Sequence, residues 1–311
     1  MTTMLLAQFA PELYLERAHE FFTFQYDFVT MAMAASVFLG GLCGLIGTFL
    51  VLRGLSLLGD AVGHATLPGL CIGFLISGQV ASPLLLVGAL CSGLLGALFV
   101  GFSGRLPRSR EDASIGLVLA IFFGAGIVLL SYIQQVAVTS YAGLDSILLG
   151  NVAGITSSQL WIMGGVGSVL VISVIAFYRW LLLTSFDPVF ARVSAVPVRV
   201  VQYGMLAMLS TCVVLAIQAV GVVLVSAMLI IPASSARFWT CRLHYVCVFA
   251  GFFGAFSGLL GAFFSYLQEG VPTGPAMVVV ASVMFLFSYV FGPQGGLFSS
   301  RKSSSPEAKE V

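Results

Sequence analysis

Charge is what this chain has least of. Asp, Glu, Lys and Arg make up 8% of the 311 residues, while 59% are hydrophobic; soluble domains carry about 25% charge, so the composition is that of a polytopic membrane protein. Lysine is nearly missing, with Lys302 and Lys309 its two occurrences. A P-loop needs a lysine within GxxxxGK[ST] to reach the phosphates, so any ATP hydrolysis must lie on another subunit. The thirteen Lys and Arg are scattered in ones, twos and threes and form no basic patch for nucleic acid. With three histidines and no HExxH, a membrane hydrolase has little to work with. The six cysteines form no CxxC pair and read as small buried hydrophobes. Residues 1–29 lack a basic start and carry Glu12, Glu16, Glu20 and Asp27. They read as an extracytoplasmic or interfacial amphipathic segment, not as a signal peptide.

Long apolar runs are what remains. A hydrocarbon core of about 30 Å needs roughly 20 apolar residues per helix. Nine stretches qualify: 30–52, 60–78, 82–103, 113–134, 159–183, 200–218, 219–237, 243–268 and 274–292. No polar loop separates the pair at Gln218 and Ala219, so the expectation is an all-α integral membrane protein of eight or nine transmembrane helices. Every second loop is basic: Arg53; Arg105, Arg108 and Arg110; Arg179, Arg192 and Arg199; Arg237 and Arg242; then Arg301, Lys302 and Lys309. The intervening loops have no Lys or Arg, and the N-terminal segment has Arg17 alone. The positive-inside rule then places the N-terminus outside and the C-terminus in the cytoplasm. Trp161 and Trp180 bracket the fifth span as an aromatic belt would. Glycines at helical spacing, Gly40, Gly44 and Gly47 in one span and Gly251, Gly254, Gly258 and Gly261 in another, predict close helix packing. Residues 135–158 are a polar outside stretch with room for a short interfacial helix, and 293–311 read as a disordered tail.

Against this apolar background Asp60 and His64 stand out. Four residues apart, they share one helix face. Ionisable groups inside a bilayer are costly enough to be read first as functional. Helical counting from Arg53 puts His64 roughly 16 Å in, near mid-bilayer. One hard oxygen and one borderline nitrogen suit a first-row divalent metal. The alternative is a buried structural hydrogen-bond pair. His19 and His244 fall in solvated positions.

Two further segments carry chemistry. Glu111 and Asp112 open the fourth span; Asp112 as N-cap and both acids at a helix N-terminus give a structural role, the alternative being a cytoplasmic exit site for cations. In SFDPVFARVSAVPVR (185–199), Asp187 as N-cap and Pro188 at the first helical position start a helix that Pro197 ends within about two turns. A short capped helix bearing Arg192 suits docking of a soluble partner, and an ordinary surface turn is the other reading.

With these residues in hand, 30–292 resembles the permease subunits of the zinc/manganese/iron ABC importers, the ABC-3 family. Four motifs in order carry the likeness: VLRGLSLLGDAVGHATLPG (51–69), EDASIG (111–116), FDPVFARVSAVP (186–197) and AVGVVLVSAMLIIPASSA (219–236). The resemblance implies the transmembrane domain of an ABC importer in a prokaryotic cytoplasmic membrane. It implies a second permease copy or paralogue, cytoplasmic ATPase subunits and an extracytoplasmic metal-delivering lipoprotein, with membrane lipid around the spans. Asp60 and His64 match the family's path residues, and Phe186, Asp187 and Arg192 lie in the matching coupling segment. Mn, Zn or Fe would pass as cargo, with no permanently bound cofactor and no enzymatic step on this chain. Gly63 departs from a common serine. Asn151 stands where many members carry an acid, so no ligand is assigned to 140–158. The alternative functions are a stand-alone secondary metal transporter, which should show charge pairs deep in several spans, and an intramembrane enzyme or assembly factor, which should show a nucleophile–base pair.

Overall fold

A computed structural model describes residues 21, 23, 27–79, 82–103, 111–136, 150, 152–268 and 271–300. It is helical with no strand among those residues: α1 (Asp27–Leu52), α2 (Ser56–Ser77), α3 (Pro83–Ser103), α4 (Glu111–Val136), a 3-10 turn at Val152–Gly154, α5 (Ser157–Ala176), α6 (Tyr178–Phe186), α7 (Pro188–Val193), α8 (Val198–Val220), α9 (Val225–Arg237), α10 (Leu243–Leu267), α11 (Thr273–Phe291) and α12 (Leu297–Ser300). Eight of these helices are long and apolar enough to cross a membrane.

Three expected spans need correction. The boundary expected at Gln218 lies at Gly221, where φ of 88° and ψ of 160° reverse the chain in a region open to glycine. The stretch after it, α9, has 13 residues, about 20 Å of helix, and cannot cross alone. The fifth span ends at Ala176, since Phe177, with ψ of 11°, departs from helical torsions although its amide still donates to Ser173 O and its carbonyl still accepts from Leu181. Trp161 therefore lies on α5 and Trp180 on α6, and the two do not bracket one straight helix.

Without a hydrophobic drive between helices in lipid, membrane helices gain stability from van der Waals packing at close approach. The glycine stripes supply it. A Cβ on Gly40 would fall on the Gly254 carbonyl, one on Gly44 on Ala250, and one on Gly258 on Ser36, so α1 and α10 meet backbone to backbone. Gly47 seats α1 in the same way on Leu229 of α9, and Gly261 seats α10 on Met277 of α11. A second seam joins α2 to α3 through Gly69 and Gly88. The core lies between α1, α2, α8 and α9, where Leu39, Val62, Leu209, Cys212 and Met228 are fully buried. Four cysteines, Cys43, Cys71, Cys212 and Cys247, are buried as expected, whereas Cys91 and Cys241 are exposed; all six are free thiols.

The described arginines gather at one end of the bundle. Leu52, Phe186, Arg237 and Leu243 line one open cleft there, so α9, though short, returns the chain to the end at which α1 finishes. At the opposite end Phe21 packs on Phe263 and Tyr266, and the Val152 amide donates to Thr273 Oγ1 at 3.2 Å. Most of 1–29, the basic residues 105, 108 and 110, residues 137–149 and 301–311 lie outside the described residues. Of the tail, Gln294 donates its amide to the Phe238 carbonyl at 2.9 Å, and α12 follows.

Candidate functional site

Asp60 and His64 sit in the first three turns of α2, Asp60 against the start of α9 and His64 against α4. The turn before α2 uses Gly54 at φ 70°. Its amides are bonded at every step, Gly54 to Val51 O and Leu55 to Leu50 O, so the start of α2 is fixed on the end of α1. Asp60 Oδ1 lies 3.6 Å from His64 Nε2, with the carboxylate side chain 38% exposed and the imidazole 15%. That gap exceeds an N–H···O hydrogen bond. Metal–ligand bonds of about 2.0–2.2 Å set two ligands of a tetrahedral ion roughly 3.3–3.6 Å apart, the separation found here.

Three neighbours hold the pair. Ser226, at the start of α9, donates its hydroxyl to the same Oδ1 at 3.2 Å. The positive end of the α9 helix dipole thus lies beside the carboxylate. Phe123 of α4 packs edge-on against the imidazole, with ring centroids 4.7 Å apart and planes at 72°. Between the two polar residues Gly63 admits the chain break: a Cβ there would meet Val225 Cγ1 at 3.1 Å and the Val222 carbonyl at 3.3 Å. This accounts for glycine where a serine is common. Pro68, inside α2, has no amide to give the carbonyl four residues back, which is that of His64 itself. His64 Nδ1 is buried without a hydrogen-bond partner. A discontinuous helix beside a half-buried ionisable pair is how membrane transporters expose backbone oxygen to a cation.

The donor set is small. Among the described residues no group of three or more His, Cys, Asp and Glu gathers anywhere. Two side-chain donors are fewer than the four ligands of a closed structural metal site.

The other expected residues lie elsewhere. Helix α4 already includes Glu111, so Asp112 is within its first turn and does not cap it; it is exposed. Asp112 precedes Phe123 by eleven residues, about 16 Å along the helix, so the structure does not bring it to the Asp60–His64 level. Nothing is described of the Glu111 side chain. Asp187 caps α7 as expected, its Oδ1 accepting from the amides of Val189 at 3.0 Å and Phe190 at 2.8 Å, with Pro188 opening the helix. Phe186, Val189, Phe190 and Val193 are all more than half exposed, and Arg192 is exposed among them. These side chains form an exposed apolar patch on a short loop helix. Asn151 lies outside the described residues. Sequence reasoning missed Ser226, Phe123 and Gly221, although Ser226 and Gly221 stand inside a quoted motif.

Comparison with known proteins supplies the family. The manganese transport system membrane protein MntC of Bacillus subtilis is 42% identical over 274 residues, covering 88% of this chain and 63% of that protein, so the chain spans less than two thirds of that relative. The zinc transport system membrane protein TroC of Treponema pallidum is 38% identical over 84% of this chain and 88% of its own length. Among solved structures, PsaBC from Streptococcus pneumoniae in complex with Fab matches with a TM-score of 0.80 and 30% identity, over 91% of this chain and 99% of that one. Residues 25–292 match the model of one family along nearly the whole membrane bundle. The chain belongs to the ABC 3 transport family.

Proposed function

We propose that this chain is the permease subunit of an ATP-driven importer of a divalent transition metal, Mn, Zn or Fe, held in transit by Asp60 and His64. The observation that carries the reading is the 3.6 Å spacing of Asp60 Oδ1 and His64 Nε2 on a partly open face of a membrane helix. Both donors have room for a shared ion and too few partners to trap it. The oxygen–nitrogen pair accommodates all three metals, and relatives named for manganese and for zinc transport fit that breadth. The remaining ligands come from water and from the same face of a second permease copy or paralogue.

Energy comes from elsewhere, since no lysine is placed for a P-loop. A cytoplasmic ATPase docks on α7, where Phe186 and its apolar neighbours give contact area and Asp187 holds the helix in shape; Arg192 adds the charge. The basic end of the bundle is then cytoplasmic, the N-terminus outside and the C-terminus inside. An extracytoplasmic lipoprotein delivers the metal at the opposite end, in a prokaryotic cytoplasmic membrane whose lipid covers the exposed apolar faces. Glu111 and Asp112 fall at the basic end, where an exit site would lie; their helix-terminus role accounts for them equally well.

Purified chain and ATPase in proteoliposomes test the reading. Mn(II) uptake should require ATP and survive a protonophore. Uptake driven by a proton gradient without ATPase would replace it with secondary transport.

A further inference from the structure

Arg53 occupies the turn between α1 and α2, and its guanidinium reaches across to α6. Nη2 donates to Thr184 Oγ1 at 2.9 Å and Nε to Ser185 Oγ at 3.2 Å. Both hydroxyls have already committed their protons to their own helix, Thr184 to Trp180 O at 2.8 Å and Ser185 to Leu181 O at 2.6 Å. Their lone pairs are therefore left to receive the guanidinium, and the donor–acceptor sense of the link is fixed. Thr184 is buried and Ser185 half-buried, so water competes poorly for these bonds.

The two ends of this link differ in what they carry. On one side, Ser185 is two residues from Asp187, the cap of α7, and a single residue separates α6 from α7. On the other, Arg53 is seven residues from Asp60, through a turn whose amides are bonded at each step. Helix α7 packs on α6 and α8, while α2 packs on α3, α4, α8 and α9. The guanidinium fork thus ties the partner-facing helix to the start of the metal-facing one. Two parallel donors in one rigid plane hold direction as well as distance, which an ammonium does not.

We propose that Arg53 is the positioning residue that delivers movement of α7 to the Asp60–His64 pair, through its fork onto Thr184 and Ser185. The proposal rests on the ATP-driven importer reading above. When the ATPase displaces α7, α6 moves with it, and the fork turns the base of α2 and the pair it holds.

The test uses the transporter assembled with its ATPase in proteoliposomes, carrying R53K, the T184V/S185A pair, or all three substitutions. Mn(II) taken up per ATP hydrolysed should fall at least tenfold in R53K and in T184V/S185A, with basal ATP hydrolysis retained. Mn(II) binding without ATP, read by equilibrium dialysis, should stay within twofold of wild type. The triple variant should lose no more than either parent, as expected of groups acting as one unit. Wild-type uptake per ATP in both R53K and T184V/S185A overturns the proposal. So does a proportional fall of uptake and hydrolysis, which marks loss of assembly, or an additive loss in the triple variant. ATP-independent uptake by the wild type overturns the importer reading itself, and is distinguished by appearing before any substitution is made.

Discussion

Removing the Ser226 hydroxyl takes away support from the site without touching either candidate ligand. Ser226 donates to Asp60 Oδ1 at 3.2 Å, the oxygen that also faces His64 Nε2. Without it the carboxylate turns freely about its last torsion and presents either oxygen to the path. Hydrogen bonds to charged groups contribute about 1.5–3 kcal/mol. Asp60 is 38% exposed, so solvent competes and the lower end applies. A loss of about 1.4 kcal/mol is tenfold in affinity. Ser226→Ala should therefore raise the KM for Mn(II) uptake about tenfold with little change in maximal rate, while Ser226→Thr, which keeps the hydroxyl, should stay near wild type. Initial rates of Mn(II) uptake across a concentration series in vesicles measure both quantities. An unchanged KM in Ser226→Ala would refute the orienting role. A lower maximal rate at constant KM would place Ser226 in the conformational step.

Other expectations follow from the packing and the caps. Gly254→Ala sets a Cβ on the Gly40 carbonyl; overpacking of this kind costs about 1–3 kcal/mol, so the melting temperature in detergent should drop. Gly164→Ala, with nothing within 4 Å, should not lower it, and equal effects would discount the α1–α10 seam. Asp187→Ala removes the two amide bonds that cap a six-residue helix, at about 1 kcal/mol. It should weaken co-purification of the ATPase severalfold, with Asp187→Asn near wild type; equal loss in both would shift the role from cap to charge. Cys241 is exposed beside Arg242, so a membrane-impermeant maleimide should label it in inverted vesicles and not in intact cells. Labelling in intact cells would reverse the orientation.

Local spacing made part of this molecule legible in its sequence. Asp60 and His64 are one helical turn apart, and Asp187–Pro188 is a cap that needs no tertiary partner, so both could be read directly. The glycine stripes showed that helices approach closely, although their pairing of α1 with α10 comes from contacts some two hundred residues apart in sequence. Ser226 escaped notice because its partner lies 166 residues away and a serine in an apolar run carries no signal of its own. The break at Gly221 was hidden for a different reason: apolar residues continue across it, so hydropathy sees one run where the backbone turns. Phe177 interrupts the fifth span with no glycine or proline to announce it, which is why that span was expected to run on to 183.

The central claim is that Asp60 and His64 hold the metal in transit, and uptake of radioactive Mn and Zn with the ATPase present tests it most directly. Wild type would be compared with Asp60→Asn and His64→Ala after each is shown to reach the membrane. ATP-dependent uptake in wild type that collapses in both variants is the expected result. Uptake at the wild-type rate in both would reduce the pair to a structural contact and contradict the metal path.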